Sequence, residues 1–62
     1  MTAESLCALT ERFVTKEGVA QSMCAKLENG SIEAYINEVE AQAGKSLTQA
    51  QAELLIRLAR SL

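Results

Sequence analysis

The chain has no histidine, no tryptophan and no proline, and its only aromatic residues are Phe13 and Tyr35. Without histidine, no side chain has an unperturbed charge change between pH 5 and 8. Acid–base catalysis near neutrality would therefore need a strongly shifted carboxylate or lysine. No apolar run approaches membrane-spanning length. The start, Met1-Thr2-Ala3-Glu4, lacks the basic and apolar regions of a signal peptide. If the module is exported, its signal is expected to belong to a longer parent chain or to have been removed. Strong positive charge is also missing. Six Lys and Arg against eight Asp and Glu give a formal net charge of −2, which argues against a nucleic-acid binder.

What is present is helix-forming. Alanine, leucine, glutamate and glutamine dominate, and no proline interrupts them. The 62 residues suffice for a single small domain, residues 1–62. Three glycines and a few capping residues divide the chain into four helical segments. The first runs from Ala3 to Val14, with Thr2 as N-cap. Leu6, Leu9 and Phe13 form its apolar stripe, with Cys7 and Val14 on the flank. The second runs from Lys16 to Glu28 with Val19, Met23 and Leu27 inward and Ala20 and Cys24 beside them. Gly18 is costly inside a helix, so it belongs to the turn or to the first turn of this segment.

Asn29-Gly30-Ser31 is the clearest punctuation. Gly30 is expected to end the second helix in a left-handed conformation, and Ser31 to cap the third. The triplet also matches an N-glycosylation sequon, but the capping role accounts for the same residues. The third segment, Ile32 to Ala43, directs Ile32, Tyr35, Ile36 and Val39 inward and Glu33, Asn37, Glu38, Glu40 and Gln42 outward. Gly44 is its stop. Thr48-Gln49-Ala50-Gln51 fits a capping box, with Leu47 and Ala52 at the flanking staple positions. Leu54, Leu55, Ile56, Leu58, Ala59 and Leu62 then give the fourth helix a wide apolar surface, which places it centrally in the core. Leu55 and Ile36, each central in its stripe, are expected among the most buried residues. Short connections make the expected fold all-α, a compact bundle of four short helices arranged as two helical hairpins.

Cys7 and Cys24 lie equidistant from Thr15-Lys16, the expected turn of the first hairpin. In an antiparallel hairpin such residues come side by side, within reach of a disulfide. Small domains stapled in this way belong to oxidising compartments. The other reading of the same residues is a pair of free, buried thiols in a cytoplasmic protein.

No motif points to chemistry. Gly44-Lys45-Ser46 resembles the end of a phosphate-binding loop, but Val39 stands where that loop needs a glycine, and a helix precedes it. The third and fourth segments have the outline of a helix-turn-helix, with Lys45, Arg57 and Arg60 as phosphate contacts. The recognition helix would offer mostly alanine and leucine beside an acidic face. Glu33, Glu38 and Glu40 are spread along a helix exterior, which suits solvent better than a cation. Neither cysteine has the low-pKa setting of a nucleophile. The expectation is no enzyme, no cofactor, no metal and no nucleic-acid partner.

Ala34-Tyr35-Ile36-Asn37-Glu38-Val39-Glu40-Ala41-Gln42-Ala43-Gly44-Lys45-Ser46-Leu47-Thr48, continued by Gln51-Ala52-Glu53-Leu54-Leu55-Ile56-Arg57-Leu58-Ala59, resembles the core of the FIMAH domain. Phe13-Val14 and Gly18 to Leu27 are similar to its first half. That family is a small helical module of bacterial exported proteins, often near the C-terminus of proteases, glycoside hydrolases and repeat-bearing surface proteins. Members commonly carry a longer segment ahead of the Tyr35-Ile36 pair, where this chain has only Glu28 to Ala34. The resemblance implies no active site. It implies a non-catalytic accessory or interaction module of a secreted or cell-surface protein, used for attachment, spacing or docking to a protein or cell-surface partner. The rival expectation is an intracellular adaptor or small regulator that forms a homodimer or binds a partner helix through the fourth segment.

Overall fold

A computed structural model describes residues 2–62 of the chain. Four helices follow in order: α1 (Ala3–Phe13), α2 (Val19–Glu28), α3 (Ile32–Gln42) and α4 (Gln49–Arg60). The chain is all-α, as its composition and periodicity predict. α1 packs on α2 and α3 on α4, forming two hairpins. The hairpins join through α2 against α3 and α1 against α4. The helices thus form a ring, and the diagonal pairs make no backbone approach among the described residues. α4 is accordingly one of four walls around the core and not the centre that its wide apolar surface suggested.

The helix boundaries have identifiable causes. Thr2 caps α1: its extended backbone (ψ 165°) lets Oγ1 accept from the Ser5 amide at 3.1 Å. α2 starts at Val19, three residues later than the sequence predicts. Gly18 stands at φ +89°, outside the right-handed helical region, so residues 15–18 form the turn. The Gln21 amide oxygen then accepts from the Gly18 N–H at 2.7 Å. α2 ends in a Schellman closure: Ser31 N–H reaches Lys26 O at 2.9 Å and Gly30 N–H reaches Leu27 O at 3.1 Å. Gly30, at φ +77°, makes this reversal possible.

Ser31 corrects an expectation. It occupies the position before α3, but its side chain makes no capping hydrogen bond. Its ψ of 70° differs from the extended values of Thr2 and Thr48, so the hydroxyl is not carried over the first turn. Its backbone N–H instead closes α2. Gly44 also differs in detail from a helix-closing glycine. α3 stops at Gln42, and Ala43 (φ −62°, ψ 128°) followed by Gly44 (φ +82°) forms a type II turn, closed by Lys45 N–H to Gln42 O at 2.9 Å. Gly44 N–H points forward to Leu47 O at 2.7 Å, tightening the link to α4. Thr48 and Gln51 form the full capping box, Gln51 N–H to Thr48 Oγ1 at 3.1 Å and Thr48 N–H to Gln51 Oε1 at 3.0 Å. Leu47 and Ala52, at the staple positions, are both buried.

The core gathers Leu6, Val14, Ala20, Met23, Leu27, Tyr35, Val39, Leu47, Ala52, Leu55 and Ala59 from all four helices and two connections. Leu55 is fully buried, as expected. Ile36 is not: it is half-buried, and Tyr35 and Val39 take the inward positions of α3. Val14, read as a flanking residue, is 1% exposed and lies just past the end of α1, where the chain turns inward.

Candidate interaction site

Most polar side chains that lie near the core are committed to holding the bundle together. Thr10 is fully buried. Its single hydroxyl proton goes to Leu6 O at 2.7 Å, the usual back-bond of a threonine within a helix. Its oxygen then accepts from Tyr35 Oη, also at 2.7 Å. Burial pushes the Tyr35 phenol above its ordinary value of 10.0, and the Thr10 hydrogen bond offsets part of that rise. Lys26 on α2 meets Glu38 on α3 at 3.5 Å and donates to Ser22 Oγ at 3.0 Å. Glu38, assigned to the solvent face by periodicity, is therefore half-buried at the α2–α3 seam.

Cys7 and Cys24 are brought together as their spacing predicts. The sulfurs stand at disulfide distance, 2.04 Å, with Cα atoms 5.1 Å apart, tying α1 to α2. Glu11, one turn after Cys7, has a carboxylate oxygen within 4.8 Å of both sulfurs. With the sulfurs joined, no thiolate is left to coordinate an ion, and one exposed carboxylate does not hold a cation by itself.

Two surface features are left over that the core does not use. Leu54 and Leu62 on or just beyond α4 are 39% and 43% exposed. A second feature lies between α3 and α4. One cavity of about 360 Å³ is lined by Ile32, Glu33, Ile36, Asn37, Glu40 and Arg60. Another of about 490 Å³ is lined by Glu40, Ala43, Gln49, Ala52, Glu53 and Ile56. Glu40 borders both, so the two make one trough along the α3–α4 seam. Its lining includes half-buried isoleucine, and its charged members are Glu33, Glu40, Glu53 and Arg60. Sequence reasoning missed this trough because Ile36 was assigned to the core. The signal available was the presence of two adjacent apolar residues, Tyr35 and Ile36, of which a helix can point only one squarely inward.

Arg60, considered as a phosphate contact, lines the same trough as Glu33 and Glu40. No helix is long and apolar enough to cross a membrane among the described residues. In comparisons with known proteins, no family model, no curated protein and no solved structure matches the chain.

Proposed function

We propose that this chain is a non-catalytic accessory module of an exported bacterial protein, serving attachment, spacing or docking of the larger protein. The observation that carries the reading is the Cys7–Cys24 pair at disulfide distance in the first hairpin. Such staples persist in oxidising compartments, and small domains depend on them because their cores are limited. The resemblance of Ala34–Thr48 and Gln51–Ala59 to the FIMAH core supports the same class. So does the use of near-core polar side chains: Thr10, Tyr35, Lys26 and Glu38 are engaged in packing contacts.

A second reading, an intracellular adaptor or regulator, is favoured by one observation. Leu54 on α4 and Leu62 just beyond it leave apolar area exposed, suited to a second copy or a partner helix.

Fusion and deletion test the first reading. Appending the module to an exported reporter enzyme should change its attachment to the cell surface while leaving its intrinsic turnover unchanged. Saturable turnover of a small molecule by the isolated chain would contradict it, as would tight, salt-sensitive binding to duplex DNA.

A further inference from the structure

We propose that the α3–α4 trough is the docking surface, and that its occupant is a cationic amphipathic helix of a partner protein. The inference rests on the interaction reading above and assigns it a face and a ligand chemistry.

The floor of the trough comes from Ile32 and Ile36 of α3 and Ile56 of α4. Ile32 and Ile36 are one turn apart, so both lie on the same edge of α3. All three are half-buried and packed against the core from outside. An apolar ridge laid along them would remove the remaining area from water. Glu33 and Glu40 border the trough from α3 and Glu53 borders it from α4, with Arg60 as the single cation. Among the described residues the one ion pair joins Lys26 to Glu38, so the three trough carboxylates have no cationic partner within 4.0 Å. An apolar strip bordered by unpaired acids is complementary to a helix with aliphatic residues on one stripe and Lys or Arg along its edges. The seam follows α3, 11 residues, so about three turns of partner helix, roughly 16 Å, fit along it.

A second copy of this chain fits less well. Its cations, Arg12, Lys16, Lys26, Lys45, Arg57 and Arg60, are scattered over α1, α2, α4 and two connections. Each helix also carries glutamate, and two copies would bring net charges of −2 together.

The test uses the oxidised full chain and a designed helical peptide of leucine and lysine, about 14 residues long, with leucines at i, i+3, i+4 and i+7. Chemical-shift mapping should move Ile32, Ile36, Glu40 and Ile56, and added salt should weaken binding. Charge reversal at the rim, Glu33→Lys with Glu40→Lys, should weaken binding by roughly fivefold or more. The same charge change elsewhere, Glu4→Lys with Glu28→Lys, should leave at least most of the affinity. All four residues are exposed, so the folded state is retained and circular dichroism verifies it. Absence of binding overturns the proposal. So do shifts centred on another face, equal losses in the two double variants, or trough shifts that follow self-association of the chain. If the peptide fails while the fused module still attaches its reporter, the trough assignment falls and the interaction reading stands. If the peptide binds but fusion changes no attachment, the trough stands and the accessory role falls.

Discussion

Tyr35 on α3 donates a 2.7 Å hydrogen bond to Thr10 on α1, joining two helices that face each other diagonally across the bundle. Both residues are fully buried. The bond's direction follows from proton counting, because the Thr10 hydroxyl proton is already given to Leu6 O. This pair ties the two hairpins together at a place where the backbones do not meet.

The pair should behave non-additively. Tyr35→Phe leaves Thr10 satisfied through Leu6 and should cost about 0.5–1.5 kcal/mol. Thr10→Val strands a buried phenol donor and should cost more, about 1–3 kcal/mol. The double variant should cost less than the sum of the two. Denaturant unfolding of the four proteins measures the cycle, and simple additivity would show that the bond contributes nothing.

Tyr35 also gives the fold an alkaline limit. Its folded pKa is raised, so above about pH 10 the unfolded chain releases a proton that the folded chain keeps. The unfolded state then binds fewer protons, and stability falls as pH rises from about 10 towards the folded value. Below that window this contribution is flat. Tyr35 is the only tyrosine, and tryptophan is absent, so ultraviolet titration reads the group directly. A midpoint at or below 10 in the folded protein would contradict its burial.

The caps should separate cleanly. Thr48→Ala should cost about 1 kcal/mol, because it removes a hydroxyl that accepts from the Gln51 amide. Ser31→Ala should change stability by less than about 0.5 kcal/mol, because its hydroxyl caps nothing. Thermal unfolding of both variants checks the contrast, and equal losses would mean that Ser31 caps α3 after all.

The core should separate too. Leu55→Ala should cost about 2–5 kcal/mol, since the side chain is fully buried. Ile36→Ala should cost clearly less, because its outer side faces the trough. Denaturant midpoints measure both. A loss below about half a kcal/mol at Leu55 would place the packed face of α4 elsewhere.

Much of the architecture was legible in the sequence because it rests on local chemistry. Thr48-Gln51, Thr2 and Gly30 act within a few residues of themselves, and the Cys7–Cys24 pairing needs only the geometry of one hairpin. Ser31 fails for a local reason: the Schellman closure at Gly30 takes its N–H to Lys26 O, and its backbone leaves capping geometry. The other failures are non-local. Ile36 and Tyr35 are adjacent and both apolar, and which one turns inward depends on α1 offering Thr10 to the phenol. Glu38 lies on the polar face of α3, but α2 places Lys26 beside it. The trough was illegible for the same reason: it exists only where α3 and α4 meet.

The account rests most heavily on the bond between Cys7 and Cys24. The most direct measurement is the intact mass of protein purified without reductant, taken before and after phosphine treatment and followed by alkylation. The expected result is a gain of two hydrogens on reduction, with alkylation at both cysteines only afterwards. Reduction should also lower stability by about 3 kcal/mol, the chain-entropy value for a loop of this size. Ready alkylation of both cysteines in the folded, unreduced protein, with no mass change on reduction, would contradict the staple and the exported-module reading built on it.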